Sequence, residues 1–210
     1  MKFSDVSGDI SLDYSQVREF MTSWFRPDDL VVFSGNPTIS GSMISQTLSA
    51  KEFVSITEEQ YESIIFDSET GDGYDLYFRV CPVNEPVVLW KRGNESQTSY
   101  VPGVWVDLDC KPESFDSEKD IIAFLNSLPL FPTMVCSTGT GGIHAYWKLN
   151  WDEDIDKDQG KELLGRWWSF IEDASGGRSV DKLVDTARIL RVPGSLHFGK
   201  GSGVVSPARS

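Results

Sequence analysis

The stretch Val104-Trp105-Val106-Asp107-Leu108-Asp109 constrains this chain more than any other. An apolar run that passes straight into alternating acids reads as a buried strand delivering two carboxylates to the rim of a sheet. Alternate strand residues point to the same face, roughly 6–7 Å apart. Carboxylates so placed can share one divalent cation, or hold two ions about 4 Å apart. Asp-x-Asp pairs are common at exposed strand ends, and the Val-Trp-Val before this one sets it apart. Ligand sites of α/β sheets gather at such ends. Oxygen-only ligation suits Mg²⁺ or Mn²⁺.

The elements around this strand predict an α/β or α+β module built on a sheet. Ser117, with Asp120 three residues on, opens a helix over Ile121 to Leu128. Pro132 to Cys136 reads as a second strand, followed by the turn Ser137-Thr138-Gly139-Thr140-Gly141-Gly142 and a strand from Ile143 to Lys148. Residues 158–174 place Leu163, Leu164, Trp167, Trp168 and Ile171 on one side of an amphipathic helix. In the first half, residues 15–26 carry Val17, Phe20, Met21 and Trp24 at helical spacing, and Leu30 to Phe33 reads as a short strand. Residues 57–66 are expected to be helical, Tyr74 to Cys81 a strand, and Pro86 to Gly103 a loop or hairpin.

A net charge of −13 argues against generic coverage of nucleic acid, which calls for a basic surface. The charge is unevenly spread. Residues 1–90 hold 5 basic and 15 acidic side chains, whereas residues 178–210 hold 6 basic and 2 acidic ones. Such a local cationic end suits a nucleotide or a short stretch of phosphate backbone. Three cysteines without a C-x-x-C pair support neither a disulfide framework nor zinc, and a reducing cytoplasm is the expected compartment. Neither a signal peptide nor an apolar run of about 18 residues is present, so no membrane partner is expected.

Two further segments carry chemistry. His144, just past the glycine turn, shares a strand face with Gly142 and Tyr146, where it could donate to a phosphate oxygen. A histidine satisfied by a neighbouring backbone group is the plainer alternative. No Gly-Lys-Ser/Thr follows the turn, which excludes a Walker A loop. The other segment runs from Asp181 to Lys200. Asp181 could complete a set of three carboxylates, and Arg191 and Lys200 suit a triphosphate. Alternatively, Asp185, Arg188 and Arg191 pair on the surface of a helix that Pro193-Gly194 ends.

In combination, these pieces resemble the archaeo-eukaryotic primase superfamily, particularly the primase-polymerases of phages, plasmids and other mobile elements. An apolar strand ending in D-x-D is matched by Val104 to Asp109. A small-residue turn closing on S-x-H is matched by Ser137 to His144, and an apolar residue plus Asp before R-x-x-R-x-P-G and a later Lys by Val180-Asp181, Arg188 to Gly194 and Lys200. Asp75 to Val80, followed by Lys91-Arg92, is similar to the run into the first motif. The resemblance covers roughly residues 74–204.

It implies a two-lobed catalytic core whose RRM-like sheet carries the metal site. Residues 1–210 would form one catalytic domain, with lobes over about 1–100 and 101–210. Asp107, Asp109 and Asp181 would hold two Mg²⁺ or Mn²⁺ ions. His144, Arg191, Lys200, Thr140 and Gly142 would meet the nucleotide. The implied activity is template-directed nucleotidyl transfer, as DNA primase or polymerase, on single-stranded DNA or a primer-template with dNTPs or NTPs. A fused or separate helicase is a further implied partner, and residues 201–210 read as a linker cut short. Two departures stand out: Gly142 replaces the serine of S-x-H, and Asp185 competes with Asp181 as third acid. A metal-dependent nuclease or replication initiator is the rival enzyme reading, and a nucleotide-binding module without catalysis the non-enzymatic one. A relaxase needs a close histidine pair, which His144 and His197 are not.

Overall fold

The computed structural model describes residues 14–37, 44–65, 74–88, 91–150, 154–197 and 203–204. Helix α1 (Tyr14–Trp24) buries Tyr14, Val17, Phe20, Met21 and Trp24 along the stripe that its spacing predicts. Strand β1 (Leu30–Pro37) pairs antiparallel with β2 (Ile44–Ser49) and β3 (Tyr74–Arg79). It outruns the apolar signal that stops at Phe33. Ser34 is buried opposite Ser45, and their hydroxyls bond at 2.8 Å, so a polar pair continues the ladder. Helix α2 (Ala50–Ser55) opens with a capping box between Ser49 and Glu52. Helix α3 (Glu58–Ile65) follows Thr57, whose hydroxyl accepts from the Gln60 amide at 3.2 Å.

The second half builds β4 (Gly103–Leu108), α4 (Glu118–Ser127), β5 (Met134–Ser137), β6 (Ile143–Lys148) and α5 (Lys157–Ala174). Ser117 caps α4 as the sequence predicts, its hydroxyl accepting from the Asp120 amide at 3.2 Å. Strand β6 inserts between β4 and β5, giving the order β4-β6-β5 with every pairing antiparallel. With α4 as the crossover, this is the split β-α-β unit of an RRM-like sheet. The segment before β4 stays a loop, apart from a 3₁₀ turn over Glu95–Gln97 and a bridge between Val83 and Thr98.

Residues 181–188 form no helix. They run irregularly into β7 (Ile189–Arg191), which leaves the second half and pairs with β3. The first sheet thereby takes the order β2-β1-β3-β7. The expected helix over Asp185 to Arg191 is corrected accordingly: Asp185 and Arg188 do pair at 2.6 Å, but across a turn. Two short strands, β8 (Leu196–His197) and β9 (Gly203–Val204), pair with each other.

Helix α1 joins the two sheets. Phe20 meets Phe78 of β3 at 5.1 Å between ring centroids and Tyr146 of β6 at 4.9 Å. Trp24 packs on Tyr146 at 5.3 Å, and its indole N–H donates to the Val80 carbonyl at 2.9 Å. Each such ring contributes about 1.5–3 kcal/mol by burial. On the other face of the β4-β6-β5 sheet, Trp147 meets Trp167 of α5 at 4.6 Å. The second sheet is thus covered by α5 on one side, and by α1 and the first sheet on the other. Among the described residues no helix is long and apolar enough to cross a membrane.

Candidate active site

Strand β4 buries Val104, Trp105 and Val106 and then exposes about a quarter of the Asp107 side chain. The registers pair Asp107 with His144 and His144 with Cys136, so these three side chains share one face of the sheet. It is the face of Tyr146, turned toward α1 and the first sheet. His144 is buried, and its Nε2 lies 3.5 Å from Asp107 Oδ1, an electrostatic contact longer than a good hydrogen bond. His144 Nδ1 and Asp107 Oδ1 are buried with no hydrogen-bond partner. Buried polar atoms left so are unusual, and here two neighbouring side chains each carry one.

The Asp107 carboxyl sits below the usual carboxylate range. Burial opposes its ionisation, and the His144 imidazole together with the Lys111 and Arg188 charges outweighs that burial. A carboxylate lowered on folding adds stability that is complete above the unfolded pKa of about 3.9 and is lost as pH falls through the folded value. Urea melts in EDTA should therefore show the protein more stable than Asp107→Asn near pH 5, by a margin that shrinks below about pH 4. An offset that grows on acidification contradicts this assignment.

Asp109 lies just past the strand end, and Asp181 comes from the segment after α5. The Lys111 ammonium joins them, 3.1 Å from Asp109 Oδ2 and 2.7 Å from Asp181 Oδ1. Its hydrogen bonds to Asp181 and Asp109 push the Lys111 pKa up despite partial burial. Two anchors set Asp181 in place. The Val180 carbonyl accepts from the Trp168 indole at 3.1 Å, and the Ser179 amide donates to the Glu113 carbonyl at 2.7 Å. Glu113 takes a left-handed φ of 68°, which costs a non-glycine residue about 1–2 kcal/mol. That tight turn ties the two acid-bearing segments together. Asp185 is held instead by Arg188.

The glycine turn is closed on itself. The Thr138 hydroxyl receives the amides of Thr140 at 3.4 Å and Gly142 at 3.1 Å, and it also pairs with the Thr140 hydroxyl at 2.9 Å. A Cβ at Gly142 would lie 3.0 Å from both Asp109 Oδ1 and the Leu108 carbonyl oxygen. The missing side chain therefore lets Asp109 lie against the turn, which explains the glycine where the resemblance leads one to expect serine. Arg191 is buried in the first sheet, 3.3 Å from Asp75 Oδ1 and 5.3 Å from the centre of the Tyr77 ring. Lys200 lies outside the described residues.

The donor atoms are of the kind that a divalent cation takes. The acids supply only oxygen, one Asp107 oxygen has no partner, and Asp109 and Asp181 already share one cationic group in Lys111. Among the described residues, however, no three His, Cys, Asp or Glu side chains close on a common point. Lys111 stands between two of the acids, and neither it nor the reach of Arg188 to Asp107 was read from the sequence. In the sequence Arg188 stands as the first arginine of R-x-x-R-x-P-G or as half of a surface ion pair, with no link to Asp107.

The fold is that of the catalytic domains of archaeo-eukaryotic primases. The chain superposes on the primase-polymerase domain of cyanophage S-2L with a TM-score of 0.62 at 15% identity, covering 94% of this chain and 90% of that one. The catalytic domain of primase RepB' in complex with initiator DNA gives a TM-score of 0.57 at 15% identity, over 93% and 85%. A second structure of primase RepB' gives 0.56 at 16%, with 92% of this chain spanning 56% of that one. No family model and no curated protein matches the sequence.

Proposed function

We propose that this chain is a catalytic domain for template-directed nucleotidyl transfer, a DNA primase or polymerase of the primase-polymerase kind. The observation that carries the reading is the convergence of Asp109 and Asp181 on one cationic group, beside the partly exposed Asp107 and buried His144, in this fold. Asp107, Asp109 and Asp181 would hold Mg²⁺ or Mn²⁺ ions. Such ions neutralise charge on an α-phosphate and on the leaving pyrophosphate, and ease deprotonation of a 3′-hydroxyl.

The chain's own groups do the positioning. Asp107 stays ionised beside His144, and His144, 3.5 Å away through Nε2, would orient the triphosphate. Arg191, fixed by Asp75 over Tyr77, would be a rigid cation toward the β- and γ-phosphates, with Lys200 as a second. Thr140 and Gly142 would line the turn beside the nucleotide. The substrates would be single-stranded or primed DNA with dNTPs or NTPs, in a reducing cytoplasm, with a helicase as a working partner.

The test is a reaction on single-stranded DNA, with and without a primer, using labelled dNTPs or NTPs and Mg²⁺ or Mn²⁺. Labelled product longer than a dinucleotide is expected. Shortened template with no incorporation would establish a nuclease instead. Nucleotide binding without any product would leave a binding module.

A further inference from the structure

Lys111 touches two of the three acids, and it lies outside the three motifs that carry them. Its ammonium sits 3.1 Å from Asp109 Oδ2 and 2.7 Å from Asp181 Oδ1. The three side chains are between about a third and a half exposed, so water and ions reach them. Asp181 and Lys111 are far apart in sequence, and the fold brings them together through the Glu113 to Ser179 backbone bond.

We propose that Lys111 is an internal counter-ion that a divalent metal must displace, so that metal binding at this site is an exchange of one cation for another. The inference rests on the metal-site reading above and names the residue that controls it. Mg²⁺ binds carboxylate oxygen at about 2.0–2.1 Å. An ion held by Asp109 and Asp181 at that range has no room for an ammonium between the same oxygens, and the two positive charges repel. Metal entry therefore releases Lys111, and the lost ion pairs subtract from the metal's affinity. Two partly exposed pairs correspond to about a 2- to 30-fold weakening of binding. Without metal, Lys111 relieves the repulsion between the two carboxylates.

The experiment is a Mn²⁺ titration without nucleotide or DNA, with free Mn²⁺ followed by electron paramagnetic resonance. Wild type, Lys111→Met and Lys111→Arg are compared. Lys111→Met should bind Mn²⁺ about 2- to 30-fold tighter, and Lys111→Arg, which keeps the charge, should stay near wild type. In EDTA, Lys111→Met should melt below wild type, and saturating Mn²⁺ should close that gap. Equal or weaker Mn²⁺ binding by Lys111→Met overturns the exchange and makes Lys111 a purely structural clamp. If neither protein binds Mn²⁺, the metal-site reading itself falls, and the exchange with it.

Discussion

Asp107→Asn should lower nucleotide incorporation by about 10³-fold or more, because metal stabilisation of transition-state charge is worth several kcal/mol and each 1.36 kcal/mol is tenfold. The fold should survive. Asparagine keeps the shape of the side chain and removes the cost of burying a charge, while the β4–β6 backbone pairing beside His144 stays intact. Primer extension and a melting curve on the same preparation separate the two effects. Incorporation within about tenfold of wild type, in Mg²⁺ and in Mn²⁺, would remove Asp107 from the chemistry. A collapse of the melting temperature would instead give Asp107 a structural part.

The second large effect concerns stability. Arg79 is fully buried at the end of β3, where burial pushes its pKa down. Its guanidinium donates to the carbonyl of Asn94 at 3.0 Å, the Thr98 hydroxyl at 2.6 Å and the carbonyl of Arg92 at 3.3 Å. The Thr98 hydroxyl in turn meets that of Thr186 at 2.9 Å, and Glu95 takes the Thr186 amide at 3.2 Å and the Lys161 ammonium at 2.7 Å. One buried cation thus fixes the loop over residues 92–98, which fixes the segment running from Asp181 to Arg188. Arg79→Met fills much of the same volume but strands these acceptors. It should cost about 3 kcal/mol, or about 6–12 °C in Tm for a chain of this length. Nucleotide incorporation should fall as well, since Asp181 loses part of its support. A Tm within about 3 °C of wild type would mean that the loop holds itself.

Much of the fold was legible because its elements carry local signals. The stripe of α1, the cap of α4 at Ser117 and the apolar run of β4 each depend on neighbours a few residues away. Strand β2 and helix α2 were not seen. In β2 the apolar Ile44 is exposed while Ser45 and Ser49 are buried, which inverts the pattern a half-buried strand should show. A capping box at Ser49 and Glu52 was present in the sequence and marks α2. The segment 181–191 was open to a helical reading because Asp185 and Arg188 pair at i, i+3 in a turn just as they would on a helix.

The sequence by itself determined the strand that carries Asp107 and runs out at Asp109, the turn before His144, and the supply of acids and cations from which a site could be made. Those are matters of period and residue type over short spans. The tertiary structure alone decided which charges meet. It set Lys111 between Asp109 and Asp181, sent Arg191 into the first sheet against Asp75, and brought Arg188 within electrostatic reach of Asp107. Such pairings join residues far apart in the chain. Backbone closure, such as the pairing of β7 with β3, fixes them, and no local pattern encodes where a strand will find its partner.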